Sequence, residues 1–219
     1  MKPIQLLIFD LDGTLVNTLE DISSSVNFTL ERLDLPQLSI DMVRQYVGDG
    51  IEMLMTRSLG ESKKQLTEAV KIYKEHHRKN LVVRSMLYPT VRDTLDYFKI
   101  LPMAVISNKT NEFVMPLIEH LGIARYFTLV IGADYGLPLK PAPDSVLMAV
   151  SKANVPKERA VMVGDGTTDI RAGKAAGVMT CSVTYGYRSE VELWNAGPDY
   201  IIHELAELKK LFEPITEQV

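Results

Sequence analysis

With 219 residues and 24.6 kDa the chain is long enough to bury a substantial core, as one large domain or two unequal ones. A formal net charge of -4 and a pI near 5.6 weigh against nucleic acid or an anionic membrane as the main partner and leave small molecules. The single cysteine, Cys181, excludes an intrachain disulfide and reads as a buried thiol in a reducing compartment. The apolar run before Asp10 is only four residues long, Leu6–Phe9, too short for a signal-peptide core. No stretch approaches a membrane span, so a cytoplasmic protein is expected.

Leu6-Leu7-Ile8-Phe9 reads as a buried parallel strand, and it ends in Asp10-Leu11-Asp12-Gly13-Thr14. The first polar groups after such a strand lie at the carboxyl edge of the sheet, where open α/β folds bind ligands. Asp10 and Asp12 are two apart and share a face in extended chain, while Gly13 permits a sharp turn beyond them. Like charges held so close need a cation or a shared proton to offset them. By itself the Asp-Gly pair also fits a plain turn.

From Leu15 to about Arg84 the pattern is helical throughout. Leu15, Leu19, Ile22, Val26, Leu30 and Leu33 recur at steps of three and four, with Asn17 and Glu20 as a capping pair. Ser39 caps a second helix, Ile51 to Leu59 marks a third, and a charged fourth runs from Glu61 to Lys79. Four helices without a strand predict a small helical insertion. Beyond Tyr88-Pro89, helix and strand alternate. A helix through Val91, Leu95 and Phe98 precedes the strand Met103–Ile106, which ends in Ser107-Asn108-Lys109. A helix then stops at Gly122, followed by a strand near Thr128–Ile131, the turn 138–143 holding Lys140, and a helix from Val146 to Ala153. The strand Ala160–Val163 runs into Gly164-Asp165-Gly166-Thr167-Thr168-Asp169, and further strands follow at Met179–Val183 and Tyr200–Ile202. Repeated βα units predict a mostly parallel sheet covered on both faces, with the helical insertion over its carboxyl edge.

Every polar cluster falls at a strand end: Asp10 and Asp12, Ser107 and Asn108, Asp165 and Asp169, with Lys140 on the approach to the Asp165 strand. The spacing of four makes Asp165 and Asp169 inequivalent if a helix begins near Thr167, so that one can meet a metal while the other braces a neighbour. Alone, the pair also fits a helix cap and a first-turn acid.

Asp10-x-Asp12-Gly13-Thr14, the strand-ending Ser107-Asn108, Lys140-Pro141-x-Pro143 and Gly164-Asp165-x-x-x-Asp169 together resemble, in order, the four motifs of haloacid-dehalogenase superfamily phosphatases. The resemblance covers nearly the whole chain. It implies a Rossmann-like α/β core formed by residues 1–15 and 82–219, with residues 16–81 as a helical cap. Arg44-x-x-Val47-Gly48-x-Gly50 and Val183-Thr184-Tyr185-Gly186-Tyr187-Arg188 look similar to the phosphoglycolate phosphatases. Asn17 stands where an Asp often follows the first motif, and Gly166 where Ser is common.

The resemblance implies that Asp10 attacks phosphorus and becomes an aspartyl phosphate, while Asp12 protonates the departing alkoxide and later activates water. The attack of one anion on another requires a hard divalent cation. Oxygen ligands from Asp10, the backbone of Asp12 and Asp165 suit Mg2+ better than zinc, since His and Cys clusters are missing. Lys140 adds fixed positive charge, and Asp169 orients Lys140 or a metal-bound water. Gly13, Thr14, Ser107, Asn108 and Gly48 are expected around the substrate, a small phosphorylated metabolite. The cap supplies selectivity, with Val47-Gly48-Asp49-Gly50 as the loop entering the cleft and Arg44 and Arg188 as charge partners or plain surface arginines.

Three alternatives stay open on residues alone. A sugar-phosphate phosphatase or a phosphomutase would use the same scaffold. A phospho-acceptor signalling domain also combines acids and a Lys, but it needs no lid and no second aspartate such as Asp12. Gly164-x-Gly166 lacks the third glycine of a dinucleotide site.

Overall fold

The computed structural model describes residues 1–216. In chain order its elements are β1 (Lys2–Ile4), β2 (Leu6–Phe9), β3 (Val16–Asn17), α1 (Leu19–Arg32), α2 (Ile40–Tyr46), α3 (Ile51–Ser58), α4 (Leu66–Lys79), β4 (Met86–Leu87), α5 (Val91–Phe98) and β5 (Met103–Ile106). There follow α6 (Asn111–His120), β6 (Leu129–Ile131), α7 (Asp144–Ala153), β7 (Ala160–Gly164), α8 (Thr167–Ala176), β8 (Met179–Val183), α9 (Glu190–Ala196), β9 (Tyr200–Ile202), α10 (Leu208–Leu211) and β10 (Phe212–Pro214).

The central sheet has six strands in the order β6-β5-β2-β7-β8-β9, and every pairing is parallel. Its three middle strands, β5, β2 and β7, are apolar on both faces because both are covered. Leu7 and Phe9 join Met103, Val105, Val161 and Val163 in one hydrophobic cluster. The alternate residues Leu6 and Ile8 join Ala104, Ile106, Ala160 and Met162 in another. The chain leaves β2 toward β5 and β6, then crosses to β7 on the other side. That reversal opens a crevice at the carboxyl ends of β2, β5 and β7.

Helices α1 to α4 pack around a third cluster, in which Ile22, Val26 and Leu30 of α1 meet Val43, Leu54, Met55 and Tyr73. This is the helical insertion that the periodicity predicts, with two corrections. Its entry is not helical from Leu15, because Val16–Asn17 forms β3 and pairs antiparallel with β4, binding the outgoing chain to the returning one. Nor do Asn17 and Glu20 cap α1: the cap position is Thr18, and the Asn17 side chain reaches only the Leu19 N–H, at 3.4 Å. Tertiary pairing of the two connectors overrides the local helical pattern. Ser39 does cap α2, accepting from the Met42 N–H.

The two connectors are also joined through a carboxylate. Asp21, buried in the first turn of α1, accepts the backbone N–H groups of Val83, Arg84 and Ser85 at 2.8–3.1 Å and the Ser85 hydroxyl at 2.6 Å. Cys181 is buried on β8, and burial raises its thiol pKa. Among the described residues no helix is long and apolar enough to cross a membrane.

Candidate active site

The crevice leads into a cavity of about 510 Å3 between the strand ends and the helical insertion. Asp10, at the end of β2, points an oxygen at Lys140, whose ammonium has three partners: Asp10 Oδ1 at 2.7 Å, Asp169 Oδ1 at 2.6 Å and the Ile106 carbonyl at 2.7 Å. An ammonium has three protons, so Lys140 is saturated and fixed. Burial alone would lower its pKa, but Asp10 and Asp169 raise it well above the ordinary lysine value. It is a permanent cation. Asp169 Oδ2 accepts the Gly166 N–H at 2.9 Å, which anchors the carboxylate at the start of α8.

Asp165, at the end of β7, is gripped through backbone and hydroxyl donors. Its Oδ1 accepts from Thr14 Oγ1 at 3.2 Å and its Oδ2 from the Tyr187 N–H at 2.6 Å. Gly13, at φ +88°, and Gly186 press on this carboxylate so closely that a β-carbon on either would overlap it. The expected substrate contacts at Gly13 and Thr14 are therefore redirected: both brace Asp165, and neither lines the cavity. Ser107 does line it, and its Oγ accepts the Lys109 N–H.

Asn108 also borders the cavity, but its amide is occupied by structure. It donates to the carbonyls of Gly48 and Lys140 and accepts from the Lys140 N–H. It thus links β5, the Lys140 turn and the Val47–Gly50 loop, whose four residues all line the cavity. Arg188 makes a second link, donating to the carbonyls of Arg44 and Val47. The Arg44 side chain itself is exposed and pairs with Asp41, away from the cavity wall.

Several residues of this region carry no sequence motif. Lys109 binds both oxygens of Asp12 at 3.0 Å, and the Asp12 carboxylate also accepts from Thr18 Oγ1 at 2.6 Å. Tyr187 OH contacts both the Thr18 N–H and hydroxyl. The position of Lys109 directly after Ser107-Asn108 was its only sequence signal. Tyr73 and His77, from α4, and Phe113, from α6, wall the far end. His77 sits in a charged run and would pass for a solvated side chain, yet it is buried.

Electrostatically the centre is overloaded with negative charge. Burial raises the Asp10 pKa well above the carboxylate range; Lys140 pulls it down, and Asp169 and Asp165 add to the rise. Burial and the Asp169 charge push Asp165 up to about 7. One oxygen from each of Asp10, Asp165 and Asp169 lies within 4.8 Å of the others. Hard oxygen donors without His or Cys, crowded until they resist ionisation, fit a hard divalent cation.

A parallel sheet carrying an acid pair at its first strand end, a saturated lysine and a second acid cluster under a helical insertion defines a known class. Residues 7–183 match the model of the haloacid dehalogenase-like hydrolases, and the chain belongs to that family. It is 35% identical to a phosphoglycolate phosphatase of Nitrosococcus oceani, over 96% of this chain and 97% of that one. To the phosphoglycolate phosphatase of Aquifex aeolicus it is 33% identical, over 96% and 97% of the two chains. A crystal structure from Haemophilus somnus, described as a predicted phosphoglycolate phosphatase, superimposes with a TM-score of 0.91 at 31% identity, covering 96% of this chain and 99% of that one.

Proposed function

We propose that the protein is a Mg2+-dependent phosphomonoester hydrolase that cleaves 2-phosphoglycolate to glycolate and phosphate through a phosphorylated Asp10. The observation that carries this reading is the division of labour between the two aspartates. Lys140 holds Asp10 by one oxygen, Oδ1, which leaves Oδ2 for attack, while Asp12 is held separately by Lys109 and Thr18. In this reading residues 1–15 and 82–219 are the catalytic body and residues 16–81 the cap.

Asp10, Asp165 and the backbone carbonyl of Asp12 would hold the cation, which supplies the positive charge that lets an anionic carboxylate meet an anionic phosphate. Asp10 attacks in line; the bond from its oxygen to phosphorus forms as the bond to the leaving oxygen breaks. Asp12 gives that oxygen a proton. Asp12 then takes a proton from water, whose oxygen attacks the aspartyl phosphate and frees the Asp10 carboxylate and inorganic phosphate. Lys140 stabilises the charge on Asp10 and the transferring group, and the Ser107 hydroxyl offers a donor to a phosphoryl oxygen. Glycolate is the product of the first step and inorganic phosphate of the second, and the cap excludes bulk water around the reacting groups.

The relatives bearing that name support 2-phosphoglycolate as the substrate, and the cationic side chains that line the cavity suit a small anion. The test is phosphate release from 2-phosphoglycolate, sugar phosphates, nucleoside monophosphates and an aryl phosphate, each with and without Mg2+. A kcat/KM highest for 2-phosphoglycolate and dependent on Mg2+ is expected; preference for a sugar phosphate or nucleotide would replace the substrate.

A further inference from the structure

A leaving group with a carboxylate needs a cation close to Asp12, because Asp12 must touch the leaving oxygen and a single methylene separates that oxygen from the carboxylate. Four cationic side chains line the cavity: Arg57, Lys109, Lys140 and Arg188. Lys140 is saturated beside Asp10, on the phosphoryl side. Arg57 is bound to Asp49 and the Tyr46 carbonyl. Arg188 grips two backbone carbonyls of the helical insertion. Lys109 alone touches Asp12, with its ammonium 3.0 Å from each carboxylate oxygen and its side chain only 6% exposed.

The wall around Lys109 narrows the choice further. His77 Nδ1 lies 3.1 Å from Ser25 Oγ, a hydroxyl that also meets the Asp21 carbonyl at 2.9 Å and His76 Nδ1 at 3.1 Å. His77 Nε2 is buried without a hydrogen-bond partner, and burial with the Lys109 charge keeps the ring neutral. A neutral ring brings no charge to a carboxylate, and Ile22, Leu54 and Phe113 offer apolar surface. Among the described residues, Lys109 is the cationic side chain that stands against Asp12.

Resting on the proposed phosphatase activity, we infer that Lys109 is the substrate-selecting cation: it binds the carboxylate of the leaving group. Without substrate, Asp12 stands in as its counter-ion. The subsite takes a short carboxylate on a phosphate ester, and the apolar wall limits its length.

The experiment compares 2-phosphoglycolate with ethyl phosphate, the same ester with a methyl group in place of the carboxylate. It uses the full chain, wild type and Lys109→Met, Lys109→Arg and Arg188→Met, each checked by thermal melting. Wild type should prefer 2-phosphoglycolate; if it does not, the proposed substrate fails rather than the lysine. Lys109→Met should lose roughly 10- to 100-fold more kcat/KM on 2-phosphoglycolate than on ethyl phosphate, the worth of one charge-assisted hydrogen bond, chiefly through KM. Lys109→Arg should recover much of the preference, and Arg188→Met should lower both substrates alike. A folded Lys109→Met variant that keeps the wild-type preference, or an Arg188→Met variant that loses it, would overturn the assignment. An equal fall on both substrates in Lys109→Met would do so too, reducing Lys109 to a support for Asp12.

Discussion

At the scale of single residues, the site separates two aspartates that are only two positions apart. Asp10→Asn keeps the shape and removes the attacking anion, so phosphate release should fall to background with the fold intact. Asp12→Asn leaves the nucleophile and removes the proton relay, a loss of about 10²–10⁴-fold in kcat. Steady-state assays on both variants, freed of wild-type carry-over, check this. A second residue prediction concerns pH. His77 has its pKa lowered from 6.5 to about 2, by burial and then by Lys109 and His76, and it also faces Ser25, Tyr73 and Phe113. The unfolded chain takes a proton below 6.5 that the fold refuses, so this contribution is complete above 6.5 and declines as pH falls toward 2. The slope is about 1.4 kcal/mol per pH unit. Asp165, pushed up to about 7, has the opposite sign: its cost to the fold is present above that pH and fades below it. The histidine term is therefore read as a difference. Denaturant melts at about pH 7 and pH 5 should show a smaller acid loss for His77→Gln than for wild type; parallel losses would contradict it.

At the scale of elements, the strands of the central sheet were legible because a buried parallel strand must be apolar on both faces, and Leu6–Phe9, Met103–Ile106 and Ala160–Val163 are. Asp10, Ser107 and Asp165 were legible for the same reason, as the first polar groups beyond. What escaped was set by partners distant in sequence. Val16–Asn17 is a strand only because Met86–Leu87 returns beside it. Thr14 and Gly13 carry the first motif, yet they face Asp165, some 150 positions on; Asn108 faces Gly48 on the helical insertion. Asp21 had no signal at all, being one acid in a helical pattern. Its three backbone N–H partners and one hydroxyl make it the clamp of the returning connector. Asp21→Ala would strand the buried Ser85 donors and release the part-buried Val83 and Arg84 N–H groups to water, at a cost of roughly 2 kcal/mol. Chemical denaturation should register that cost. A change within about 0.5 kcal/mol, typical of a surface site, would show that the connectors do not depend on the clamp.

At the scale of the molecule, the sheet supplies fixed charges and the helical insertion closes over them. The crowding of Asp10, Asp165 and Asp169 explains why the proposed enzyme needs a cation as a condition of chemistry. Chelation should abolish turnover and Mg2+ restore it. Ca2+ should bind without supporting turnover, because its looser shell misplaces the attacking oxygen. Asp165→Ala should raise the Mg2+ concentration required, and Asp169→Ala should do so less, since Asp169 acts on Lys140. Activity titrated against each cation measures both effects, and full turnover in excess chelator would contradict the cation requirement.

The central claim is that Asp10 becomes phosphorylated. It is tested most directly by mixing excess protein with 2-phosphoglycolate and Mg2+, quenching in acid during the first turnover and locating the phosphoryl group by peptide mass spectrometry. The account predicts a phosphorylated Asp10 that appears and decays with glycolate and phosphate release, and that is absent in Asp10→Asn. Turnover with the phosphoryl group on another residue, or undiminished turnover in Asp10→Asn, would contradict it.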